Sequence, residues 1–424
     1  MSRQKAASDL SADAPAMVGR DAVLYIPGLK DAGSTDGLER GARRIAEALD
    51  RQSVASYTLG GVQVEKLPRA GATRVITISR SDAGRPAVPM LDVYEVNYSG
   101  ALSGGFAELK PVKQGIAILG LLLLCAPKLL RAIGKGARSF GHKLQVVYAV
   151  ALFLLLAAYL PVVLATVASM VYTAVPGLPH YTIRYLDVGV DTLTRWLETA
   201  VVALTAAGFF TRFSLKDMLA RFAGDFAPVL RYIAAGDRQG AVHGSVANLV
   251  NDIEDRQAAG GQAYGRLHVI SYSFGSIVAL DALFPRMQPI PLLARVDTLV
   301  TIGCPYDFVR TYYPRHFTGR KAASARLEWF NVYDPVDILS STFEDRAHRK
   351  RRAARVGIGP ENAAPVNLAY GQPASEWFEW IMLSGFRRHA QYWERMEMGD
   401  VSCFDMIVPH LYPATPPELA ATTG

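Results

Sequence analysis

Three residue types at separated points of this chain could carry nucleophilic chemistry together. Ser273 sits in Ser271-Tyr272-Ser273-Phe274-Gly275, between an apolar run at 267–270 and a second apolar run that follows. A strand, a sharp turn holding a serine, and a helix would expose that serine over a sheet edge. Free backbone N–H groups at the helix start would suit a developing oxyanion. The usual frame is G-x-S-x-G, and here Ser271 takes the place of the first glycine. Ser271 is a rival by position, but Ser273 is central and is the expected nucleophile. Such a short motif needs support from elsewhere in the chain.

A nucleophilic serine needs a base to take its proton and a third group to orient that base. Asp334 and Asp337 directly follow an apolar run at 327–332, which reads as a strand. His389 comes later, in Arg387-Arg388-His389-Ala390-Gln391-Tyr392-Trp393. An Asp-Pro pair after a strand is usually turn chemistry, and a lone histidine carries little weight. Their order, Ser then Asp then His, each at a strand end or beyond, is the signal. His410, in Val408-Pro409-His410-Leu411, ranks second as a base.

The elements that must position these groups alternate in type. Residues 22–26, 75–79, 91–98, 267–270, 296–302 and 327–332 read as strands, and 37–50, 216–234 and 244–255 as helices. That is the pattern of a mostly parallel sheet flanked by helices. Residues 377–383 and 387–396 suggest further helices or an apolar docking segment. Residues 1–20 read as a disordered arm, and the tail 412–424, rich in Pro, Ala and Thr, as loose. The first run ends in Pro27-Gly28-Leu29, which reads as a turn.

The segment 101–213 breaks the pattern. Residues 115–126 and 199–210 are short apolar runs, and 146–172 is an uncharged stretch with Pro161 inside it. At ~1.5 Å per residue, 146–172 is long enough for a hydrocarbon core of ~30 Å. If the flanking strands share one sheet, both ends of the insert lie on one side of a membrane. Pairing 146–172 with 199–210 keeps Arg131, Lys135, Arg138, Lys143, Arg212, Lys216 and Arg221 on the enzyme's side, as the positive-inside rule favours. The expectation is a cytoplasm-facing globular part, with 115–126 lying in the interface of a bacterial-type inner or similar membrane. The basic run at 346–355 could meet anionic headgroups.

The chain has 424 residues, is half hydrophobic, and carries a formal charge of +7. No basic-aromatic module for nucleic acid stands out, so the charge points to a lipid bilayer rather than nucleic acid. Its three cysteines, Cys125, Cys304 and Cys403, form neither a disulfide framework nor a metal-site spacing. No apolar leader is visible at the N-terminus.

Tyr25-Ile26-Pro27-Gly28-Leu29, the 271–275 elbow, Gly303-Cys304-Pro305, residues 331–336 and His389-Ala390-Gln391-Tyr392-Trp393 together resemble the α/β-hydrolases, and within them the lipase-like enzymes. The resemblance covers about residues 20–100 and 215–410 and leaves out the apolar insert. It implies an α/β-hydrolase fold divided into 21–100 and 214–411. It implies Ser273 as nucleophile, His389 as general base and Asp334 as its orienter, with Asp337 as the competing acid. The backbone N–H groups of Leu29 or Lys30, and of Phe274, would form the oxyanion hole. No metal or organic cofactor is implied. The expected activity is hydrolysis of an ester, with a lipid or acyl ester as the expected class. The alternative is a catalytically inactive hydrolase-like membrane protein serving as an interaction module.

Overall fold

The computed structural model describes, in the main, residues 19–29, 35–98, 111–135, 238–258, 264–286, 291–343, 365–371, 388–395 and 401–412, with isolated positions at 102, 143–154 and 229–233. The expected arm, most of the uncharged stretch 146–172, the run 199–210, most of 216–234, the basic run 346–355, the segment 377–383 and the tail lie outside the described residues.

In chain order the elements are β1 (Arg20–Ile26), α1 (Thr35–Gln52), β2 (Ser56–Leu59), β3 (Gln63–Leu67), β4 (Gly71–Ser81), β5 (Val88–Glu95) and α2 (Pro111–Lys135). There follow α3 (Gln239–Ala258), β6 (Tyr264–Tyr272), α4 (Phe274–Leu283), β7 (Thr298–Ile302), α5 (Tyr306–Tyr312), β8 (Glu328–Tyr333), β9 (Val366–Ala369) and α6 (Cys403–Leu411). The strands form one nine-stranded sheet in the order β2-β4-β5-β1-β6-β7-β8-β9, with β3 paired to β4. From β5 through β9 all pairings are parallel, and β2, β3 and β5 pair antiparallel to β4. The α/β class with a mostly parallel sheet is therefore correct.

β1 is buried along nearly all its length, as a central parallel strand covered on both faces must be. Its side chains alternate between two cores. Ala22, Leu24 and Ile26 pack with Val246, Leu249, Ile277 and Leu280 beneath α3 and α4. Val23 and Tyr25 face the other way, with Leu38, Ile45, Phe404 and Ile407 of α1 and α6. This period of two is the strand geometry expressed in packing. α1 carries Leu38, Ala42, Ile45, Ala46 and Leu49 on one face, the spacing that makes it amphipathic.

β9 and α6 have no counterpart among the elements expected from the sequence. Of the expected helix at 387–396, residues 388–390 are helical, 391–395 are not, and 387 and 396 lie outside the described residues. Among the described residues no helix is long and apolar enough to cross a membrane. The first apolar run, 115–126, lies within α2.

Candidate active site

The parallel strands end on one edge, where the loops after them meet. β6 delivers Ser273 there. Its backbone, at φ 53° and ψ −127°, is held in a region that a residue with a Cβ avoids. Two contacts fix this turn. Ser273 N–H donates to Ile302 O at 2.9 Å, tying the elbow to the end of β7. Gly275 lies so close to β1 that a Cβ there would be 2.4 Å from the carbonyl oxygens of both Ile26 and Pro27. Only glycine lets the start of α4 press against the β1 turn.

Ser271, the departure from the usual frame, is fully buried. Its Oγ donates to Val300 O at 2.9 Å, and its own carbonyl accepts from Ser276 Oγ at 3.2 Å. The extra hydroxyl is satisfied by the neighbouring strand, so the serine is accommodated without leaving a polar group bare. That places Ser271 inside the sheet and Ser273 at its edge.

His389 Nε2 stands 2.8 Å from Ser273 Oγ, and its Nδ1 stands 2.8 Å from Asp337 Oδ2. With Nδ1–H donating to the carboxylate, Nε2 is left to accept the serine proton. The carboxylate set against His389 is thus that of Asp337, the competing acid, and the expectation that Asp334 would stand there is corrected. Both carboxyls are buried. They lie on the same turn after β8, but only Asp337 faces the imidazole. Asp334 turns back on its own loop: its Oδ1 accepts from Val336 N–H at 2.8 Å. Gly371, at φ +100°, packs so closely that a Cβ there would meet Asp334 Oδ2 at 2.6 Å. Burial, with the charge of Asp337 adding to it, pushes the Asp334 carboxyl up to about 6.

Tyr392 escaped sequence reasoning. Its buried hydroxyl donates to Asp337 Oδ2 at 2.9 Å and accepts from Asp334 N–H at 2.8 Å. It supplies a second donor to the oxygen that holds His389 and fixes the spacing of the two aspartates. Burial drives its phenol well above the usual range, so it remains a donor. Tyr272, next to Ser273, stacks on the His389 ring with centroids 5.4 Å apart and an interplanar angle of 23°. Its hydroxyl donates to the His389 carbonyl. The Tyr-Trp pair after His389 was a visible signal, but only the fold shows that one of its rings reaches the acid.

Gly303, at φ +58°, makes room for His389 and Tyr392: a Cβ would be 2.9 Å from Tyr392 and 3.1 Å from His389 Cε1. The Pro27–Leu29 turn lies beside Ser273, with a Cβ on Gly28 placed 3.1 Å from Ser273 Cβ. Tyr98 Oη donates to Pro27 O at 2.5 Å and anchors that turn. Phe274 is the first residue of α4, where backbone N–H groups have no intrahelical acceptor. Of the expected oxyanion donors, Phe274 directly follows Ser273, Leu29 follows the Gly28 that approaches it, and Lys30 lies outside the described residues.

His410, the rival base, lies on α6 and stacks on Phe330 of β8, with centroids 4.5 Å apart. His389 holds the place beside the serine. Cys125, Cys304 and Cys403 are free and buried. Among the described residues no cluster of His, Cys, Asp and Glu is placed to hold a metal ion. Comparison of the chain with protein-family models, with curated proteins and with solved structures returned no match.

Proposed function

We propose that this protein is a membrane-attached serine hydrolase of α/β-hydrolase type that cleaves an ester, with a lipid or acyl ester as the preferred class. The observation that carries the reading is the continuous relay from Ser273 Oγ through His389 to Asp337, both steps at 2.8 Å, with the serine on a strained turn. A nucleophile, a base in the required tautomer and an orienting carboxylate are the parts that acyl transfer needs.

In this reading Ser273 Oγ attacks the ester carbonyl while its proton passes to His389 Nε2. The carbonyl oxygen takes up negative charge opposite the N–H groups of Phe274 and Leu29. The C–O bond to the leaving alcohol then breaks, and His389 returns the proton to that oxygen. Water, deprotonated by the same imidazole, attacks the acyl-enzyme and releases the acid and free Ser273. The role of Asp337, doubly held by His389 and Tyr392, is to keep Nδ1 protonated and the ring in place.

The uncharged stretch 146–172 and the net charge of +7 support attachment to a bilayer, with the catalytic part facing the cytoplasm. The test is fluorophosphonate labelling of the detergent-solubilised wild type beside Ser273→Ala and His389→Ala. Labelling of the wild type, lost in both variants, is expected. A folded wild type that does not label would overturn the enzyme reading in favour of an interaction module.

A further inference from the structure

α2 is a helix of 25 residues, ~37 Å long, with two unlike apolar faces. Leu121, Leu122, Cys125 and Leu129 are buried, and this face packs on α5. Lys128, on the same side, lays its Nζ 3.5 Å over the Tyr313 ring. On the other side Ile116, Leu119, Leu123 and Leu130 follow one another at helical spacing, and all four are exposed, Leu123 by 68% and Leu130 by 70%. Ile133, about 80° from Leu123 on the side away from Arg131, widens the stripe and is also exposed. A run of large exposed apolar side chains on one face marks an interaction surface.

The charges say what it meets. Pro111–Lys135 contains Lys113, Lys128, Arg131 and Lys135 and not one acidic residue. Arg131 and Lys113 are exposed and fall about 80° around the helix from Leu123, along one border of the stripe. An apolar face bordered by cations alone fits the boundary between acyl chains and anionic headgroups, with the helix axis in the membrane plane. A transverse setting would put Lys128 and Arg131 in the hydrocarbon and strip away α5, against which the opposite face is packed.

We infer that α2 is an in-plane docking face for a bilayer containing anionic lipid, and that it sets the catalytic edge of the sheet at headgroup level. The second part follows from what α2 and the residues after it touch. α5 begins three residues after the Gly303 turn that accommodates His389. Gln145 Nε2 donates to Ser340 O at 3.0 Å, on the loop that carries Asp337. α2 thus packs on the helix that follows the Gly303 turn, and Gln145, ten residues beyond α2, bonds to the loop of Asp337. This second part rests on the hydrolase reading; the docking of α2 does not.

The experiment places one spin label at a time on the full chain, at Leu123→Cys, Leu130→Cys and, as a water-facing reference on β3, Val64→Cys, whose native side chain is 69% exposed. The protein is reconstituted in phosphatidylcholine vesicles with and without phosphatidylglycerol, and collision with oxygen and with a neutral nickel chelate is measured. Oxygen is expected to exceed the chelate several-fold at 123 and 130, with the reverse at 64, and the labels should sit deeper when phosphatidylglycerol is present. Chelate access at 123 and 130 equal to that at 64 would show the stripe facing water and overturn the inference. Exclusion of both reagents would show it covered by protein, another segment or a second copy, and would also overturn it. Depths independent of phosphatidylglycerol would remove the anionic partner. Fluorophosphonate labelling of the same samples reports the hydrolase reading separately, since label depth needs no turnover.

Discussion

Replacing each aspartate of the β8 turn by asparagine separates their roles, and the structure gives the expected size of each effect. In Asp337, Oδ1 accepts from Leu339 N–H at 2.9 Å, while Oδ2 accepts from His389 and Tyr392. In Asp337→Asn the oxygen stays with Leu339, because only an acceptor fits there. The amide nitrogen then occupies the place of Oδ2 and becomes a donor toward His389 Nδ1. The imidazole answers by moving its proton to Nε2, where it faces Ser273 Oγ and no base remains. A wrong tautomer of this kind costs on the order of 10⁴ in kcat, or about 5.4 kcal/mol of transition-state stabilisation. Asp334→Asn keeps the bond to Val336 through its amide oxygen and leaves the His389 contact untouched, so activity should stay within about tenfold. The assay is hydrolysis of p-nitrophenyl butyrate, with the rate of fluorophosphonate labelling as a check free of deacylation. A loss below about 100-fold for Asp337→Asn, or a larger loss for Asp334→Asn, would refute the assignment of Asp337.

Other outcomes follow from the same geometry. The Asp334 carboxyl is raised from 3.8 to about 6 by burial, so the native state holds its proton more tightly than the unfolded chain. Its contribution to stability is therefore full below pH ~4 and is lost as pH rises toward 6, by an amount of order 2–3 kcal/mol. Asp334→Asn should remove that loss, and urea midpoints at pH 4.5 and 8 should differ less in the variant than in the wild type. Ser273→Gly should be more stable than Ser273→Ala by ~1 kcal/mol, because alanine keeps the Cβ that makes φ 53° costly; equal denaturation midpoints would show no strain at the turn. On the elbow helix α4, Asp281 is fully buried, 2.8 Å from Arg320 Nη1 and 3.0 Å from His316 Nε2. Asp281→Ala should destabilise by ~3–5 kcal/mol by stranding the arginine, whereas Asp281→Leu with Arg320→Met should recover part of that in thermal melts.

What the sequence could disclose about this fold was what is encoded locally. β6, its turn and α4 are contiguous, and strand, turn and helix each leave their own pattern, so the turn that holds Ser273 was legible. The strands at the antiparallel end could not: β2 and β3 are short, and most of their side chains are exposed or half-buried, so no apolar period marks them. β9 is four residues long with no fully buried side chain. α6 holds Pro409, a residue that argues against a helix, yet it is capped by Ser402 and Asp405, each bonding back to the other's backbone. The choice between Asp334 and Asp337 was hidden for another reason. The two lie three residues apart on one turn, and which of them faces His389 depends on where Tyr392, 55 residues beyond Asp337, sets its hydroxyl.

The local signals and the long-range ones are not independent in this molecule. The elbow tolerates Ser271 because β7 offers Val300 O to its hydroxyl, and it demands Gly275 because β1 passes within a carbonyl's reach. The turn after β7 must be glycine because His389 and Tyr392 arrive from far along the chain to occupy the space. Each departure from, or agreement with, the sequence frame is therefore explained by a neighbour brought in by the sheet. A chain that had lost the need for a serine nucleophile would be free to relax φ at Ser273 and to fill the space at Gly303. In this chain both remain as an activated serine requires, and this argues for the catalytic reading over a decayed elbow.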